Sequence, residues 1–204
     1  MPVVQPSGGV LTAQTLAELT QLQQFGAGTG QINGCGDLLL QTASAGISPG
    51  ATNADNVLAV YSIPANSFDV AGRVLYIMAA GTFANNTNSK RVKIIFNPSV
   101  AVVGSTVGSG GTTIADTGAW TTTGLTPFIL EAQVQKYGVA GSNTQMAIPL
   151  GVVLGTTHGG IGSSAFINAT TAVENAPILI AVTGNAATTA ADILLYLLQI
   201  QGVN

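Results

Sequence analysis

The chain has 204 residues, 47% of them hydrophobic, with 8 acidic and 5 basic side chains, a formal net charge of −3, one cysteine and one histidine. This length suits one domain or a domain with an arm. The single cysteine excludes an intrachain disulfide, and the densest basic run, Lys90-Arg91-x-Lys93, is too sparse to predict nucleic-acid binding. Only 6% of the residues are charged, against about 25% in an average soluble domain. Thr, Ser, Asn, Gln and the 26 Gly must wet the surface instead. Two readings follow. One is a neutral, Thr-rich β-surface. The other is a subunit covered by copies of itself or by a lattice, where charge would cost desolvation energy.

The N-terminus, MPVVQPSGG, has neither the charged start nor the apolar run of a signal peptide, and no apolar stretch reaches the ~20 residues of a membrane helix. The expectation is a soluble chain made in a cytoplasm, with no membrane partner. Residues 1–36 read as an arm. Pro2, Pro6 and Gly8-Gly9 interrupt regular structure at its start, and a short helix is predicted over about 12–25. Leu16, Leu19 and Leu22 recur at i, i+3 and i+6, followed by Phe25; Thr15 and Glu18 form a capping box; Gly26, Gly28 and Gly30 end the helix. A helix this short is marginal alone. Leu16, Leu19, Leu22 and Phe25 are therefore expected to dock on their own domain or on a neighbouring subunit.

From residue 37 to 204 the pattern is β, with period-two runs between turn signals. Strands are predicted at 37–43, 56–63, 72–80, 89–97, 99–103 with 112–115, 127–137, 144–154, 178–183 and 192–201. Val92, Ile94 and Phe96 share one face, and Arg91, Lys93 and Ile95 the other; Phe128, Leu130, Ala132 and Val134 alternate with Ile129, Glu131, Gln133 and Gln135. The last run is apolar on both faces, with Leu194, Tyr196, Leu198 and Ile200 on one side and Ile193, Leu195 and Leu197 on the other. A strand covered on both sides is expected there, so Ile193, Leu195 and Leu197 become candidate interface residues; a C-terminal helix is the competing reading. The absence of helical crossovers excludes a parallel α/β fold. An all-β, antiparallel two-sheet sandwich of jelly-roll type is expected, with an immunoglobulin-type sandwich second.

No catalytic, metal or cofactor site is predicted. His158 stands alone in a Gly-rich loop, whereas a triad needs an orienting carboxylate and an oxyanion hole and a metal site at least three ligands. Cys35 has no Lys or Arg near it in sequence to favour a thiolate; it reads as a small apolar residue. The Gly104–Gly111 tract lacks the Gly-Lys-Ser/Thr and the following helix of a phosphate loop, and is expected as a flexible hairpin loop. Trp120 is the sole Trp. It reads as core or rim, with sugar stacking as the ligand alternative. Carboxylates paired for glycoside hydrolysis are not marked by any motif.

Residues 57–96 carry the most specific signal: Ile63-Pro64-Ala65-Asn66-Ser67, then Gly72-x-x-Leu75-x-Ile77, then Gly81-Thr82-Phe83-Ala84-Asn85-Asn86-Thr87-Asn88-Ser89-Lys90 and a basic–apolar run to Phe96. This pattern resembles the strand–turn–strand core of jelly-roll domains in virion proteins of tailed bacteriophages, and the approach from Val182 to Ile193 is similar to the one before that family's last strand. The resemblance implies a structural virion protein. The form expected is a homotrimeric capsid decoration (cement) protein whose partners are its own copies and the major capsid protein or another virion protein. A tail- or spike-associated module binding a host receptor or glycan is the alternative. Pro64 would end a strand by fixing φ, Gly72 and Gly81 would allow tight reversals, and Asn85, Asn86 and Asn88 would satisfy loop backbone.

Overall fold

The computed structural model describes residues 35–47, 53–121, 123–154, 157–159, 168–186 and 188–203. The arm helix expected over 12–25, with Leu16, Leu19, Leu22 and Phe25, lies outside these residues. The strands are β1 Cys35–Ile47, β2 Asn56–Ile63, β3 Val74–Phe83, β4 Lys90–Phe96, β5 Thr112–Asp116, β6 Thr126–Lys136, β7 Gln145–Leu154, β8 Thr157–Gly159, β9 Asn168–Thr170, β10 Ile178–Ala186 and β11 Ile193–Val203, the last preceded by one 3-10 turn at Ala190–Asp192. Residues 99–103 are loop rather than strand, and β8 and β9 fall where a loop was expected.

The strands form two antiparallel sheets. The larger runs β1-β11-β3-β6-β7-β8, with β9 also paired to β7; the smaller runs β2-β10-β4-β5. The chain changes sheet at β1–β2, β2–β3, β3–β4, β5–β6, β9–β10 and β10–β11, so neighbours in sequence mostly lie in opposite layers. The period-two pattern sets which face turns inward. Val92, Ile94 and Phe96 of β4 meet Phe128, Leu130 and Val134 of β6 in one continuous core with Leu75, Ile77, Ile180 and Ile200. Each such side chain contributes about 1.5–3 kcal/mol when removed from water.

Strand β11 owes its two apolar faces to a β-bulge. Leu195 pairs with Gly81 and Leu197 with Ala80, leaving Tyr196 as the extra residue. A bulge of one residue shifts the inward register by one. Ile193 and Leu195 point into the core before it, and Leu198 and Ile200 after it; all four are buried. Leu194, Tyr196, Leu197, Gln199 and Gln201 face outward. This corrects the expected assignment of Leu198 and Ile200 to the face of Leu194, and it explains Ile193 and Leu195 without a second subunit.

Each end of the sandwich carries a polar clasp. At one end Lys136, fully buried, donates to Glu174, to Ser142 Oγ (2.8 Å) and to Thr144 Oγ1 (3.0 Å). Glu174 also accepts from the Gly141 N–H (2.8 Å) and from Gln145 Nε2 (3.0 Å), while its carbonyl accepts from the Asn66 N–H (2.7 Å). This ties the β2–β3 crossing, the β6–β7 hairpin and the approach to β10 into one unit. At the other end Asp192 accepts from Asn86 Nδ2 (2.6 Å) and Asn88 Nδ2 (2.7 Å), and Lys90 Nζ donates to the backbone carbonyls of the same two residues (2.8 Å each). This ties the β3–β4 crossing to the turn before β11.

Two glycine roles differ from one another. Gly72 has φ +91°, the left-handed reversal expected of it. Gly81 does not turn the chain: it lies inside β3, where an added Cβ would stand 2.1 Å from the Leu194 carbonyl oxygen and 2.6 Å from Phe128 Cζ. Close approach, rather than reversal, requires glycine there.

Candidate functional site

The distribution of charge singles out one face of the molecule. All five basic residues are engaged inside the fold. Arg73 Nη1 donates to the Ser67 carbonyl (2.5 Å) and to Asp69 Oδ1 (3.0 Å). Arg91 Nε donates to both oxygens of Asp116 (2.8 and 3.1 Å), and its Nη2 to Oδ2. Lys93 pairs with Asp55 (2.6 Å), Lys136 with Glu174, and Lys90 holds two carbonyls. The Asp116 carboxyl is governed first by burial, which raises its pKa; the Arg91 hydrogen bond, the Gly118 N–H and the charges of Arg91 and Lys93 outweigh burial and hold it below the ordinary carboxylate value.

Glu131 is different. Its carboxylate has no ion-pair or hydrogen-bond partner among the described residues. It sits on the outer face of the larger sheet in a recess of about 240 Å³ lined by Tyr76, Ile77, Met78, Glu131, Ala132, Leu150, Gln199 and Gln201. Register explains the recess. Met78 pairs with Glu131 on one side and Gln199 on the other, and Tyr76 lies between Gln133 and Gln201. On the far side Glu131 pairs with Gly151, and a register shift follows before Ala132 meets Pro149, leaving Leu150 as the extra residue. Gly151 has no side chain to fill the space beside Glu131 Oε2, while Leu150 and Tyr76, 44% and 41% exposed, form the walls. A carboxylate, an aromatic ring, amides and an aliphatic edge can hold a polar group with a flat or apolar body.

The smaller sheet is covered differently. The β4–β5 loop lies across its outer side: the Val57 N–H donates to the Ser105 carbonyl (2.8 Å), the Gly104 N–H to the Val57 carbonyl (2.8 Å) and the Val107 N–H to the Asp55 carbonyl (2.9 Å). Gly111 lets it run close, since a Cβ there would be 2.6 Å from Ile95 Cγ2. The glycine-rich tract is thus a strap fastened to β2, not a loose hairpin. It leaves Val100, Val102 and Val103 exposed.

Among the described residues, those singled out from sequence are not brought together. Ile193 and Leu195 are in the core, and Leu197 is half-buried on the outer face of the larger sheet. Trp120 is half-buried against the core, its backbone bridged to Lys90 (2.7 and 2.9 Å). Cys35 opens β1 opposite Val203, and His158 lies in β8 opposite Val153. Among the described residues no group of three His, Cys, Asp or Glu side chains could hold a metal, and no helix is long and apolar enough to cross a membrane. Sequence reading placed Glu131 on the wet face of its strand, but the bulge that shapes its recess had no signal beyond Pro149 and Gly151. No protein-family model, curated protein or solved structure matches the chain.

Proposed function

We propose that this chain is a structural virion protein of a tailed bacteriophage, a homotrimeric capsid decoration protein with a jelly-roll fold, whose partners are its own copies and the major capsid protein. The fold part is supported by strand order. Leaving aside β7–β9 as an insertion, β1-β11-β3-β6 faces β2-β10-β4-β5, the arrangement produced when a long antiparallel hairpin folds over into two four-stranded sheets.

The observation that carries the role is where the family-like segment falls. Its two turns are the two sheet-to-sheet crossings that enter the clasps: Asn66 bonds to Glu174, and Asn86 and Asn88 bond to Asp192 and Lys90. A resemblance in residues that fix the fold's two ends is more specific than one in strand composition. The engagement of every Lys and Arg inside the fold supports a building block rather than an anion-binding or nucleic-acid-binding protein. Such a protein stabilises a shell by mass action, because it binds the assembled lattice and not the separate subunits.

The test is addition of purified protein to undecorated capsids. Saturable binding together with greater resistance to heat supports the reading. Absence of binding, or binding without any gain in shell stability, rejects it.

A further inference from the structure

We propose that the recess around Glu131 is a docking site for an arginine side chain carried by a different protein. The first ground is charge. In a chain where each cation is already held by internal partners, Glu131 is an acid left without one among the described residues, and it stands on an outer sheet face rather than in a clasp. A partly buried carboxylate facing amides and apolar groups attracts a cation that completes it. Copies of this chain have no Lys or Arg side chain to spare, so the cation comes from another protein.

The second ground is shape and chemistry. About 240 Å³ suits one long side chain, since drug-sized ligands occupy about 300–1,000 Å³. Arginine fits better than lysine. Its planar guanidinium can bond both oxygens of Glu131 and stack on the exposed Tyr76 ring. The Gln199 side-chain oxygen can accept a further N–H, and Met78 and Leu150 can cover the aliphatic stem. Naming the partner as a capsid or other virion protein rests on the function proposed above; the chemistry of the recess does not.

The experiment titrates the whole protein with N-acetyl-arginine amide, N-acetyl-lysine amide and the uncharged N-acetyl-citrulline amide, following side-chain amide and tyrosine resonances by NMR. The expected result is saturable shifts confined to the recess, with arginine binding tighter than lysine and citrulline not binding. Binding should be about tenfold weaker in Glu131→Gln, whose unfolding midpoint should match the parent because the Glu131 carboxylate makes no bond among the described residues. Three results would overturn the proposal: no saturable shift with the arginine probe, equal binding of citrulline, or unchanged arginine binding in Glu131→Gln. A parallel capsid-binding assay separates the two ideas. Capsid binding without arginine recognition sinks this inference alone, whereas arginine recognition without capsid binding sinks only the virion reading.

Discussion

Lys90 and Asp192 are both buried at one end of the sandwich and are joined through the same two residues, Asn86 and Asn88. Each asparagine accepts the ammonium at its backbone carbonyl and donates its side-chain amide to the carboxylate. The charges are thereby matched at second hand, and the β3–β4 crossing cannot move without exposing one of them. Asp192→Ala leaves two part-buried amides and the buried Lys90 ammonium without their carboxylate, and is expected to cost about 2–4 kcal/mol. Asn88→Ala should cost less, about 1–3 kcal/mol. Urea unfolding measures both, and equal losses would mean that the asparagines act independently of the carboxylate.

At the opposite end the Lys136–Glu174 pair is direct and almost fully buried. Removing one partner strands the other, so Glu174→Leu is expected to cost about 3–5 kcal/mol. Lys136→Met with Glu174→Leu should cost clearly less than the two single losses added together. A double-mutant cycle reads the difference. Additive losses would show that the surrounding Ser142, Thr144 and Gln145 already satisfy each charge.

Acid should weaken the Arg91–Asp116 bridge. Asp116 is depressed in the fold, so the native state holds fewer protons than the unfolded chain between the two values. Its stabilisation is fully present above the unfolded carboxylate value of about 4 and is lost as pH falls through the lower folded value. The Arg91 side chain is 43% exposed, so Arg91→Met should cost only about 0.2–1 kcal/mol near neutral pH. Thermal melts of the two proteins should differ near neutral pH and converge as the pH falls through the lowered folded value of Asp116. A gap that stays constant would assign the cost to lost packing.

Gly81→Ala tests the close approach inside β3. The new methyl meets the Leu194 carbonyl and the Phe128 ring, which itself packs on Phe83 at 4.9 Å between centroids. Strand propensity alone would favour alanine over glycine; overpacking is expected to reverse the sign, with a loss of about 1–3 kcal/mol or more. A stabilised variant in thermal unfolding would contradict the described contact.

Removing residues 2–30 tests the arm. On the virion reading, capsid attachment weakens while the unfolding midpoint of the β-domain stays put, because the described core is built from Leu58 onward. Loss of the folded domain in a circular-dichroism melt would make the arm part of the fold instead.

Much of the architecture was legible in one dimension because a strand in a two-layer protein must alternate. The alternation at Val92, Ile94 and Phe96 and at Phe128, Leu130, Ala132 and Val134 marks core faces without reference to any partner, and β2 spans the residues predicted for it. Proline and glycine at Pro64 and Gly72 mark a crossing by backbone sterics alone. What only three dimensions decided is where alternation slips and which polar groups meet. The extra residues at Tyr196 and Leu150 depend on pairing with strands more than a hundred and about twenty positions away, respectively. The fate of each charge likewise depends on neighbours brought together by folding: Lys90 and Lys136 look like surface lysines in sequence and are buried, while Glu131 lies in a recess without an ion-pair partner among the described residues. Local pattern fixes the direction of a side chain, whereas its partners are set by chain closure over long distances.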